Sequence, residues 1–192
     1  MEEDTLIVFL GHGRSDFLYG SVPDENNAFV SSDFLAENQD FTFEKGRFIY
    51  DENVNVFEKK KIISVACNSG KPKGIGQIAI EKGAKVYLGF GEVPTSAEEF
   101  EHRMGIKNVP KQIIDRFKGE INFILKLSLN EGIKSNMTFS ELQNHIRLVT
   151  DKRAYSIVKN NSGLRNRRLL ANTLHVFRKQ MRVHGDGNLR IM

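Results

Sequence analysis

Cysteine is almost absent from this chain: Cys67 is the only one among 192 residues. A lone thiol rules out an internal disulfide and any multi-cysteine metal site, and it points to a reducing, cytoplasmic setting. There is also no apolar run of eighteen or more residues, so no membrane-spanning helix is expected. The opening MEEDTLIVFLGHG is acidic where a secretory signal would be basic, so export by that route is not expected either. Internal repeats and low-complexity segments are missing. The pairs Gly74-x-Gly76 and Gly89-x-Gly91 complete neither the dinucleotide fingerprint nor the P-loop, and Lys73 stands where a Cys-x₅-Arg phosphatase loop requires arginine. No cofactor and no metal are expected.

What remains is the composition of a soluble globular protein, 40% apolar and 27% charged, in a length that suits one domain over 1–192. Charge is unevenly spread. Residues 1–100 carry 10 Lys+Arg against 17 Asp+Glu, and residues 101–192 carry 18 against 7, for net charges of −7 and +11. Much of the positive half, including Lys152, Arg153, Lys159, Arg165, Arg167, Arg168, Arg178, Lys179 and Arg182, falls on segments with a helical pattern. Such charges read first as solvated helix faces, and second as a surface for an acidic partner or nucleic acid.

Three short apolar runs read as buried strands: Thr5 to Leu10, Lys61 to Ala66, and Ala84 to Phe90. Residues 75–82 suit a helix closed by Gly83, giving a strand, helix, strand unit with parallel strands. Residues 23–40 read as a long polar loop, and Phe41 to Tyr50 as a hairpin around Lys45-Gly46. From Thr95 the period becomes helical. Ser96 with Glu99 and Thr138 with Glu141 have capping-box spacing, and Pro110 suits a first helical residue. Ile113, Ile114, Phe117, Ile121, Ile124, Leu125 and Leu129 form one apolar stripe, expected to pack on the sheet. Further helices are expected over 139–160 and 163–179, and the ending MRVHGDGNLRIM reads as a strand or hairpin.

Two segments could carry chemistry. Gly11-His12-Gly13 follows the first strand, and Cys67-Asn68-Ser69-Gly70 follows the second. Both side chains would emerge at the carboxyl ends of parallel strands, where open α/β sheets bind ligands. The cysteine has two readings, a small buried hydrophobe or a nucleophile. His102, His145 and His175 fall on predicted helices as ordinary surface or core-edge residues, and His184 serves the last strand.

The pair strand-GHG and strand-ACNSG, 55 positions apart, resembles the His-Gly and Ala-Cys signatures of caspase-like (clan CD) cysteine peptidases. The segment EKGAKVYLGFGEVPTSAEEF is similar to the Gly-Ala-x-x-Val-x-Gly strand and acidic loop of separases and CHAT peptidases. The ending VHGDGNLRI resembles the closing Gly-Asp-Pro strand of gingipains and CHAT domains, with Gly187 in place of the proline. The likeness covers residues 5–13, 61–95 and 181–191, and leaves the helical part, 94–180, unmatched.

The resemblance implies a three-layer α/β fold, a mostly parallel sheet flanked by helices, with the family's usual strands before the histidine strand missing. The β-edge beside Thr5 to Leu10 is therefore expected to be open, or filled by later segments or a second chain. It further implies a cysteine endopeptidase of bacterial or similarly intracellular setting, with Cys67 as nucleophile and His12 exchanging protons. The amides of Gly13 and Cys67 would form the oxyanion hole. A protein substrate and an activating partner follow from the same likeness. Val65 replaces the aspartate that basic-specific metacaspases carry two positions before the cysteine, so Glu92 and Asp16 become the candidate substrate-binding acids. The rival readings are a caspase-like interaction module with a vestigial dyad and a basic nucleic-acid-binding domain.

Overall fold

A computed structural model describes residues 5–19, 22–23, 29–30, 47–94, 96–160 and 163–192. The chain forms a mixed α/β structure that divides into two compact units. One comprises Met1–Phe90 with Arg182–Asp186, the other Gly91–Met181 with Gly187–Met192.

The first unit is built on a four-stranded, mostly parallel sheet. The β-branched runs become β1 (Leu6–Leu10), β6 (Lys61–Val65) and β7 (Val86–Gly89), and the chain's last strand is β8 (Arg182–Gly185). Their order is β1-β6-β7-β8. The first three run parallel, and β8 pairs antiparallel with β7. Helix α1 (Ile75–Glu81) makes the crossover from β6 to β7. It ends where Gly83 takes φ +95°, a conformation that favours glycine. One face of the sheet meets α1 and the 3-10 turn at Val54–Phe57 in a core of Val54, Phe57, Ile62, Ile75, Ala79 and Tyr87.

β1 departs from the expectation of a buried strand. Ile7 and Phe9 pack against that core, whereas Val8 is 44% exposed and Leu10 71%. The reason is its place in the sheet: among the described residues β1 is an edge, while β6 and β7 are internal and buried. Two small antiparallel ladders complete the unit. β2 (Leu18–Tyr19) pairs with β5 (Arg47–Ile49), and β3 (Val22–Pro23) with β4 (Phe29–Val30). The turn of the hairpin expected over 41–50 lies outside the described residues, and the strand at 47–49 pairs with 18–19. Most of the loop expected over 23–40 also lies outside them.

The second unit is helical. Ser96 caps α2 (Ala97–Met104), its hydroxyl accepting the Glu99 N–H at 3.3 Å. α3 spans Lys111–Lys134, and Pro110 is its N-cap rather than its first residue, because its ψ of 138° is extended. Ile113, Ile114, Phe117, Ile121, Ile124 and Leu125 are buried as the stripe requires, and α3 packs against the two helices that follow. The first of these, α4 (Phe139–Asn160), opens with the reciprocal capping box. The Thr138 N–H donates to Glu141 at 2.8 Å, and the Glu141 N–H to the Thr138 hydroxyl at 3.2 Å. The last helix, α5, is Arg167–Gln180, starting four residues later than expected because Asn166 stands at φ 65°. The chain's end closes over α4, where the N–H groups of Phe139 and Ser140 donate to the carbonyls of Leu189 and Gly187. Glu120, buried on α3, receives Arg153 through Nε at 2.7 Å and Nη2 at 2.9 Å, and Arg116 at 3.1 Å. Among the described residues no helix is long and apolar enough to cross a membrane.

Candidate active site

The pairing of β1 with β6 runs from Leu6↔Lys61 to Leu10↔Val65, a constant offset of 55 positions. His12 and Cys67 are 55 positions apart, and each lies two residues past the end of its strand. Neighbouring strands lie about 4.8 Å apart. The register thus carries the two residues to matching places on the carboxyl edge of the sheet. The Gly11 N–H, donating to the Val65 carbonyl at 3.3 Å, continues the ladder past β1. A Cβ on Gly13 would stand 3.0 Å from that of Ala66, so the loop after β1 lies directly on the residue before the cysteine.

The loop carrying His12 is folded back on itself and tied to α1. The Arg14 N–H donates to the Phe17 carbonyl at 2.9 Å, and Gly13 faces Leu18 across an antiparallel bridge. The Ile75 N–H, at the start of α1, donates to the Ser15 carbonyl at 2.5 Å. The N–H of Gly13 donates to no acceptor among the described residues, although the residue is buried.

The loop carrying Cys67 is held more heavily. Ser69, fully buried, donates its hydroxyl proton to the carbonyls of Ser64 and Ala66, each at 2.8 Å, and accepts the Phe90 N–H at 3.0 Å. The Gly70 N–H donates to the Phe90 carbonyl at 2.8 Å. Residues 69–70 therefore lie against the end of β7 so closely that a Cβ on Gly89 would meet the Gly70 nitrogen at 2.5 Å. Asn68 takes φ 61° beside the cysteine, and its buried Oδ1 has no hydrogen-bond partner among the described residues. Cys67 itself is 3% exposed and His12 half-buried.

Behind this loop stands His184, on β8. Its Nε2 lies 3.3 Å from the Gly70 carbonyl and its Nδ1 3.3 Å from Gln77 Oε1 on α1. Burial first, then the nearby Arg182, pulls its pKa below the ordinary imidazole value, against the pull of the Gly70 carbonyl. The ring is therefore neutral at neutral pH and carries one proton. Because Gln77 can turn its amide and a backbone carbonyl cannot turn, that proton belongs on Nε2, donated to Gly70. Alongside, burial drives the Tyr87 phenol far above its usual range. Ser64 and Ser69 lie close enough to oppose that shift, yet Ser64 Oγ and Tyr87 OH have no hydrogen-bond partner among the described residues.

His12, Gly13 and Cys67 thus follow two neighbouring strands at the same carboxyl edge of the sheet. The two candidate substrate acids are placed differently. Asp16 is exposed on the loop after His12, inside the Arg14–Phe17 turn. Glu92 belongs to the second unit, where it is buried and its N–H donates to Gln180 Oε1 at 2.7 Å. The residues missed by sequence reasoning are Ser69 and His184. The serine sits inside the Ala-Cys motif, but its partner Phe90 is 21 positions away, and His184 is 114 positions from Gly70. Among the described residues no cluster of three His, Cys, Asp or Glu side chains is placed to hold a metal. No protein-family model, curated protein or solved structure matches the chain.

Proposed function

We propose that the chain is a caspase-like cysteine endopeptidase, of the separase, gingipain and CHAT kind, acting through His12 and Cys67. One observation carries the reading: the register of β1 on β6 equals the spacing of the two residues, so a histidine and the chain's only thiol share one carboxyl edge. The Gly13 N–H, which meets no acceptor among the described residues, adds a donor beside them.

In this reading the Cys67 thiolate attacks the scissile carbonyl carbon, and the oxyanion that forms is received by the amides of Gly13 and Cys67. His12, holding the proton taken from the thiol, delivers it to the leaving amine as the C–N bond breaks. It then takes a proton from the water that hydrolyses the thioester, which frees the acid product and restores the thiol. The burial of Cys67 supports a regulated enzyme, in which an activating partner or a second chain opens the site around a specific protein substrate. The test is a peptidyl electrophile directed at thiols, read by mass spectrometry of the intact folded chain, with Cys67→Ala and His12→Ala alongside. A single adduct on Cys67, slowed at least tenfold by His12→Ala and absent from Cys67→Ala, is expected. Labelling that ignores His12, or that still requires unfolding when the activating partner is present, would leave a caspase-like interaction module instead.

A further inference from the structure

Several features of the first unit converge on one buried side chain that the dyad does not include. His184 is 6% exposed, and on β8 it lies opposite Tyr87. Its ring meets the Tyr87 ring edge-on, with centroids 6.4 Å apart. α1 makes room for it with Gly76, where a Cβ would approach His184 Cδ2 to 2.9 Å and Tyr87 Cδ1 to 2.8 Å. A buried polar ring carries a desolvation cost that an apolar residue at the same place would avoid. What the histidine adds is a pair of polar contacts, to Gly70 and to Gln77.

Gly70 is three residues past Cys67, and its two backbone groups are held from different strands. Its N–H reaches Phe90 just past β7, and its carbonyl takes the Nε2 proton of His184 on β8. With Ser69 pinned to Ser64, Ala66 and Phe90, the distal half of the loop is fixed. The thiol and the left-handed Asn68 are then suspended between that anchor and the end of β6.

We infer that His184 is a positioning residue for Cys67: by donating to the Gly70 carbonyl it sets the loop from which the thiol is presented. Its bearing on catalysis rests on the peptidase reading above, whereas the tether itself does not. It acts in its neutral form, through a hydrogen bond, and exchanges no proton with substrate.

Three variants of the full chain separate this role from simple packing. His184→Phe keeps the ring and its contact with Tyr87 but removes both polar contacts. His184→Asn keeps polarity but is too short to reach Gly70, and His184→Gln places an amide N–H near the position of Nε2. Native-state hydrogen exchange, resolved by residue, is the first measurement. Phe and Asn should lower protection of the amides of residues 67–71 about tenfold relative to those of Ile62 and Ile63, and Gln should restore it. The second is turnover of a peptide substrate, where Phe and Asn should lower kcat about tenfold with KM little changed, again rescued by Gln. If the phenylalanine variant does not fold, the comparison of Asn with Gln decides. Loop protection equal in wild type, Asn and Gln overturns the proposal, and so does protection lost evenly across the sheet. If the wild type shows no turnover without an activating partner, the exchange measurement still decides the tether.

Discussion

Replacing Ser69 by alanine tests how the candidate loop is held. The hydroxyl is fully buried and serves three groups at once: it accepts from the Phe90 N–H at 3.0 Å and shares its own proton between the Ser64 and Ala66 carbonyls at 2.8 Å. Alanine fills nearly the same volume, so the cavity left behind is about one oxygen atom and adds little. The main cost is the loss of the acceptor that Ser69 gives the N–H of the fully buried Phe90, at about 1–3 kcal/mol. The Ala66 carbonyl keeps the Ser69 N–H at 3.3 Å, so the second loss is nearer to a net hydrogen bond, about 0.5–1.5 kcal/mol. Together these give roughly 1.5–4.5 kcal/mol, a large share of the 5–15 kcal/mol typical of a folded domain. Urea unfolding followed by circular dichroism should show that loss as a lower midpoint, and the Phe90 amide should lose protection ahead of the strand amides. A loss below about 0.5 kcal/mol, with Phe90 still protected, would refute the reasoning, because it would mean that the hydroxyl satisfies none of these groups.

Two further outcomes follow from the same kind of accounting. Glu120→Ala should destabilise the helical unit by about 1–3 kcal/mol, since it leaves Arg153 and Arg116 without their shared carboxylate, but both guanidiniums are partly exposed and can turn to water. Unchanged urea unfolding would show that the network contributes nothing. On the proposed peptidase reading, profiling with peptides that vary the residue before the cut should show a basic preference that weakens in Asp16→Asn or Glu92→Gln. A preference unaltered in both would show that neither carboxylate sets it.

Parts of this structure were legible because they are local. The runs at 61–66 and 84–90 became internal strands, the helix at 75–82 lost one residue at its end, the full capping box formed between Thr138 and Glu141, and Ser96 accepts the Glu99 N–H as its spacing suggests. Errors arose where a neighbour decides. The residues Leu6–Leu10 alone read as a buried strand, and only the family resemblance, with its missing strands, pointed to an open edge beside them. Pro110 fits both the N-cap and the first helical position, and only its ψ separates them. The spacing of His12 and Cys67 was visible, but its meaning depended on β1 pairing with β6 at an offset of 55, which is a fact of tertiary pairing. The supports of the cysteine loop were hidden for the same reason.

Those supports also explain the loop's glycines. Gly70 and Gly89 approach so closely that a Cβ on either would lie 2.5–2.7 Å from the other's backbone, and the space is closed by backbone rather than by a side chain that can move. Such an approach allows the Gly70 N–H to reach the Phe90 carbonyl and brings the Gly70 carbonyl to His184. The loop after β1 is anchored separately, through Ser15 on the first amide of α1 and Gly13 on Ala66. Because α1 begins five residues after Asn-Ser-Gly, one short helix steadies both loops, through Ile75 on one side and through Gln77 and His184 on the other. A histidine and a thiol set at one edge by strand register alone would still be free to turn apart. These anchors limit that freedom, and each can be removed separately by a substitution that leaves both candidate catalytic side chains in place.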